Sequence, residues 1–335
     1  MSSEQEISMN DMKMNNIEDE YIKKDLKTLG NLIAKMFILI IVVEGLVLGI
    51  GNLIIEMIRM AGVTIDSEVY LLFSFCVGTL LSNILAYRWL MKRTKTSHAS
   101  LVPNTDKIRK DIWKYICILF TIGLIGTLCY EGIQAASRLA GFRWGDFGME
   151  MPAFPEIGFI PYFLLVCLIA PITEEFVFRR AILKALSPYG ARIAIIISAL
   201  LFGIIHANLE QIPSAFLAGI LLGYVTVRTG TIYYAIILHI INNTLSVLIG
   251  LGDNATSNSS VYNIVVWGIY ITFGLIGVVF LIKDRKEYLS LKGGKYDDVV
   301  IPVRGGAFKY FFKSIWIWIL IVFIIIGCIN SITLI

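Results

Sequence analysis

Long apolar runs separated by short polar stretches make up most of this chain. A helix that crosses a bilayer needs about 20 mostly apolar residues. Nine segments approach that length: 36–58, 69–90, 112–135, 158–187, 191–208, 212–229, 231–250, 261–282 and 312–333. The expected fold class is therefore all-α, a polytopic membrane helix bundle of about nine transmembrane helices. No internal repeat or low-complexity segment breaks the series. The first ~30 residues are polar and mixed in charge, without the basic start and short apolar core of a secretory signal, and read as a solvated tail. Three regions follow from this layout. Residues 1–157 hold the tail and three flanking helices. Residues 158–250 hold four helices, and 251–335 hold two more with a basic loop that contains Lys292, Gly293, Gly294 and Lys295.

Composition agrees with lipid as the solvent. Hydrophobic residues make up 57%, charged residues 16%, and the mean hydropathy is +0.75. A soluble domain carries about a quarter charged residues. The five cysteines (Cys76, Cys117, Cys129, Cys167 and Cys328) all lie in apolar runs with no CxxC pair, so they read as small buried hydrophobes. The net charge of +4 matters less than where the charges sit. With the N-terminus inside and nine spans, 26 of the 29 Lys and Arg fall on the inner side, leaving Arg59, Arg138 and Arg143 outside. Cytoplasmic loops are enriched in Lys and Arg, so the expected orientation is N-in and C-out. The outer loop 251–260 carries Asn254-Ala-Thr256 and Asn258-Ser-Ser260, which fit the glycosylation pattern or a plain Ser/Asn-rich turn.

Candidate chemistry lies in polar residues inside apolar helices, where each is costly. Of three histidines, His98 sits in a basic inner loop, whereas His206 and His239 sit in apolar helices. Glu174 and Glu175 precede Arg179 in the fourth span. Glu175 and Arg179 are four apart and share a helix face, so they can pair. Glu174 is rotated by about 100° from Glu175 and is left for other work. Both glutamates could instead be ion-paired where the helix meets the inner surface. Phe202-x-x-x-His206 and His239-x-x-x-Asn243 each place two residues on one face. Counting from the turn at Gly190, Glu174 and His206 each lie about 24 Å along their helices, whereas His239 lies only about 14 Å beyond Gly230. Glu44 is a further mid-span carboxyl, either in contact with the site or hydrogen-bonded as a structural group.

Glu174-Glu175-x-x-x-Arg179, Phe202-x-x-x-His206 and His239-x-x-x-Asn243, in that order, resemble the motifs of the CPBP family. That family includes type II CAAX prenyl endopeptidases and the bacterial Abi-type proteins. Leu201-Phe202-Gly203, Gly219-x-x-x-Gly223-Tyr224 and Arg228-Thr229-Gly230 extend the likeness, which covers roughly 158–250. The resemblance implies an intramembrane endopeptidase in a bacterial plasma membrane. Glu174 would then be the general base for water, with His206 helping to hold it. His239 and Asn243 would stabilise the oxyanion, and Glu175, Arg179 and Phe202 would support them. It also implies that a divalent metal such as zinc could be held by Glu174, His206 and His239, although no HExxH is present and Asn is a poor zinc ligand. The expected partners are the lipid bilayer and a membrane-bound or lipidated peptide substrate, with no nucleic acid. Two rival readings remain at this point: a proton-coupled transporter using the same glutamates and histidine, and a non-catalytic bacteriocin-immunity protein on the same fold. Nothing in the sequence sets the oligomeric state.

Overall fold

A computed structural model describes residues 3–64, 66–95, 105–145, 156–253, 259–290, 301, 306–329 and 332–334. His98, the Asn254 and Asn258 motifs, and Lys292 to Lys295 lie outside the described residues. The apolar runs fold as α1 (Ser3–Met60), α2 (Ser67–Thr94), α3 (Thr105–Leu139), α4 (Phe159–Tyr189), α5 (Ala191–Ile205), α6 (Gln211–Thr229), α7 (Tyr233–Asp253), α8 (Ser259–Lys283) and α9 (Ile315–Ile329). Two shorter helices, Arg285–Ser290 and Ala307–Phe311, lie between α8 and α9. The protein is an integral, multi-pass membrane protein: among the described residues, seven helices are long and apolar enough to cross a bilayer. The exceptions are α5 and α9, which have 15 residues each. That length rises only about 22 Å, short of a hydrocarbon core of about 30 Å. The expected span 191–208 is cut short because α5 stops beside His206 and Ala207 takes a left-handed conformation at φ 50.

The outward faces are apolar, as lipid contact requires. Leu46, Leu53 and Met57 on α1, Val261 and Ile264 on α8, and Ile315 and Phe323 on α9 are all exposed. Between helices the driving force is close packing, not water exclusion, so small residues occupy the contacts. A Cβ on Gly219 of α6 would stand 2.9 Å from Ala199 Cα and 3.0 Å from Ala199 Cβ on α5. Only glycine lets these two backbones approach this closely. On the other side of the bundle, Thr121 of α3 donates to the carbonyl of Gly274 on α8 at 2.6 Å.

The two ends of the bundle are chemically distinct. At one end Tyr189 donates to Asp25, Lys114 pairs with Asp284 at 3.5 Å, Arg228 pairs with Glu287, and Ile301 N donates to Pro188 O at 2.8 Å. At the other end a three-residue strand after α3, β1 (Phe142–Trp144), pairs antiparallel with β2 (Ile332–Leu334) after α9. This ribbon is the only departure from helix among the described residues large enough to form a sheet.

Candidate active site

The local backbone of α4 sets up the site. Its helix is π-helical over Leu165–Ile169, α-helical over Ala170–Glu175, and π-helical again over Phe176–Leu183. Glu174 and Glu175 lie at the junction with the second widened stretch. Such bulges leave carbonyls in need of new donors, which inside a membrane must come from protein. The chain supplies them. Ala170 N reaches back to Leu165 O, and the next residue, Pro171, has no N–H to offer Val166 O. Asn243 Nδ2 of α7 donates to that carbonyl at 2.8 Å. Ser198 Oγ of α5 donates to Phe178 O at 3.0 Å.

The two adjacent carboxylates point to different partners. Glu175 is fully buried, and its Oε1 accepts from Arg179 Nη1 at 2.8 Å and from His239 Nδ1 at 2.9 Å. Arg179, 1% exposed, also donates to Gly219 O at 3.4 Å and lies 4.5 Å from the Phe202 ring centroid. Glu174 turns away from this pair, with 23% of its side chain exposed, toward a cavity of about 500 Å³. Its Oε2 is 3.8 Å from His239 Nε2, longer than a hydrogen bond. His206, His239, Asn242 and Asn243 line the same cavity.

Both histidines are oriented through Nδ1. His206 Nδ1 lies 2.7 Å from Phe202 O, and His239 Nδ1 faces the Glu175 carboxylate. Each partner is an oxygen acceptor, so Nδ1 carries the proton in both rings. In the neutral ring the lone pair is then on Nε2. Phe202 packs edge-on against both imidazoles, with centroids 5.0 Å from His206 and 5.4 Å from His239. Asn242 Nδ2 donates to Asn243 Oδ1 at 3.3 Å. Asn243 therefore keeps one amide N–H beyond the one given to Val166.

All four candidate catalytic residues, Glu174, His206, His239 and Asn243, line one cavity together with Phe202, and Glu175 and Arg179 sit directly behind it. Two relations go beyond the sequence expectation. His239, for which residue counting required a helix that enters deeper or tilts differently, is the imidazole that approaches both glutamates. Glu175 is not paired with Arg179 alone, because it also orients His239. Sequence reasoning missed the contribution of α2, where Asn83 Nδ2 donates to Thr173 Oγ1 at 2.9 Å beside Glu174. A buried amide in an apolar span was the available signal.

A metal held by Glu174, His206 and His239 does not fit this donor set. The hydrogen-bonded Nδ1 of each imidazole leaves Nε2 free, as in a metal-ligating histidine, but only His239 Nε2 approaches the Glu174 carboxylate. Among the described residues, no group of three or more His, Cys, Asp or Glu is arranged to hold a metal ion. A catalytic zinc site uses three protein ligands.

Residues 156–245 match the family described as type II CAAX prenyl endopeptidase Rce1-like. The match supports the resemblance of this segment to the CPBP family. A Bacillus subtilis (strain 168) protein named "Putative membrane peptidase YdiL" is 29% identical over 140 residues, covering 41% of this chain and 57% of that protein. The chain thus spans little more than half the length of that relative. No solved structure matches it. Within the matched segment lie every candidate catalytic residue and all of α5 and α6, whereas α1 and α2, which also wall the cavity, lie outside it.

Proposed function

We propose that the protein is an intramembrane endopeptidase that hydrolyses a peptide bond in a membrane-associated or lipidated peptide or protein, with residues 158–250 as its catalytic core. The observation that carries this reading is the cavity of about 500 Å³ that joins Glu174 to His206, His239 and Asn243. The similarity to prenyl endopeptidases and to a Bacillus protein named as a membrane peptidase points the same way. Glu174 takes a proton from water as the water oxygen attacks the carbonyl carbon. His206, held through Nδ1, offers Nε2 to that water. His239 lies between the two carboxylates and, when Nε2 carries a proton, donates that N–H to the oxyanion. The remaining N–H of Asn243 is the second donor. Purified protein in liposomes should cleave a lipid-anchored peptide from a panel of prenylated and acylated sequences. Wild-type protein that leaves the whole panel intact would refute the reading.

Asn243→Ala tests the oxyanion role. Loss of one such donor lowers turnover by about 10²–10³-fold, or ~3–4 kcal/mol, with little effect on ground-state binding. The expected result is therefore a low kcat with nearly unchanged KM. A fully active Asn243→Ala enzyme would remove Asn243 from the site.

The proposed orientation is N-in and C-out in a bacterial plasma membrane. It rests on the 26 of 29 Lys and Arg assigned to one side. The end that gathers Asp25, Lys114, Arg228 and Ile301 would face the cytoplasm, and the β1–β2 ribbon the opposite side. A cysteine introduced at Ser257 should react with an impermeant thiol reagent added outside intact cells. Labelling only after the cytoplasmic face is opened would overturn this orientation.

A further inference from the structure

Glu44 stands in an apolar stretch of α1, between Val43 and Gly45. A carboxyl in a membrane span is costly and needs a reason to persist. Glu44 lines the same cavity as Glu174, close enough for the two side chains to interact electrostatically. Its Oε1 accepts from Ser82 Oγ of α2 at 3.1 Å, and Ser82 is fully buried. The carboxyl is thereby held against the α2 wall while it lines the cavity.

The cavity has no permanent cation to neutralise this pair. No Lys or Arg is among its lining residues, and Arg179 lies buried behind it against Glu175. The other titratable groups lining the cavity are Tyr162, Glu174, His206 and His239. Two carboxyls that face one low-dielectric space do not ionise independently and tend to share one proton. Their surroundings differ. Glu174 has an imidazole nitrogen 3.8 Å away, whereas Glu44 has only the neutral hydroxyls of Ser82 and Thr79. That difference suits Glu174 to accept a proton and Glu44 to give one. Two carboxyl groups in unlike environments are a common way to separate an acid from a base in one site.

We propose that Glu44 is the general acid of the peptide cleavage, a role that rests on the endopeptidase reading above. Water gives one proton to Glu174 and forms the new C–O bond, and the carbonyl electron pair moves onto oxygen. As that pair returns, the C–N bond breaks and its electrons go to nitrogen, which takes the proton from Glu44. The products are a carboxylic acid and an amine. The proton gained by Glu174 then passes to Glu44 through water, restoring both groups.

The test uses full-length protein in liposomes, with a lipid-anchored peptide that the wild type cleaves and its counterpart carrying an ester at the scissile bond. An alkoxide leaves with far less need of a proton than an amine does. Glu44→Gln keeps an acceptor for Ser82 but has no proton to give. Its amide-to-ester turnover ratio should fall by about 10²–10³-fold, as loss of a general acid predicts. Glu174→Gln should lose both reactions and leave that ratio unchanged. Equal losses on amide and ester in Glu44→Gln would make Glu44 structural and overturn the proposal, as would an unaltered amide rate. If Glu44→Gln fails to insert, Glu44→Asp, with its carboxyl withdrawn from the cavity, should shift the ratio in the same direction, and an unshifted ratio overturns the proposal. A wild type that cleaves no peptide would refute the endopeptidase reading itself, which is a separate outcome.

Discussion

Glu174→Gln should reduce peptide turnover by at least about 10²–10⁴-fold, the usual contribution of a general base, while the protein inserts and folds normally. The geometry explains both halves of this expectation. Glu174 makes no hydrogen bond that holds one helix to another, and it faces an open cavity, so Gln at that position leaves the packing intact. Glutamine has the same shape and can still accept a hydrogen bond from water, but it cannot take the proton. Turnover in liposomes, measured beside thermal unfolding in detergent, separates the two effects. A Gln variant with near-normal turnover would sink the assignment. One that has lost both activity and stability would show that Glu174 is part of the scaffold.

Arg179→Met should produce the opposite pattern, a large loss of stability. The Glu175–Arg179 pair is buried completely, and its hydrogen bonding is already incomplete: Glu175 Oε2 and Arg179 Nε have no partner. Methionine fills much of the arginine's volume but leaves Glu175 charged and buried, with only His239 on its Oε1. Breaking one side of a buried pair costs about 3–5 kcal/mol. The variant should therefore melt at a lower temperature and be recovered in poorer yield. Adding Glu175→Gln should restore much of the loss, because the uncompensated charge is removed. An Arg179→Met protein as stable as the wild type would mean that the pair contributes nothing to the fold. Activity should also fall in the single variant, since Glu175 fixes the ring of His239.

Part of the site was legible in the chain because helix geometry is local. The 100° between adjacent residues separated Glu174 from Glu175, and the four-residue spacing joined Glu175 to Arg179. For His239 the same rule required a helix that enters deeper or tilts differently, without saying which. Counting residues from a turn gives distance along a helix, not its tilt or the depth at which it starts, and these decide that His239 reaches both glutamates. The π-helical stretches of α4 left only one local mark, Pro171. That residue explains why Val166 O is free to accept from Asn243, but nothing in the sequence says that Asn243 supplies the donor.

The sequence by itself determined the membrane class, the helical architecture and the identity of the polar side chains, because apolar run length and the cost of a charge in lipid are properties of short segments. It also determined the motifs that resemble those of the CPBP family. Only the tertiary structure decided which polar groups meet. The shortening of α5 at Ala207 and the close contact of Gly219 with Ala199 set where His206 and Phe202 lie relative to α4. The α1–α2 pair, far away in the chain and outside the matched segment, brings Glu44 and Asn83 to the cavity. Those meetings depend on how helices cross and tilt, and that is set by side-chain packing summed over the whole bundle, which no local pattern encodes.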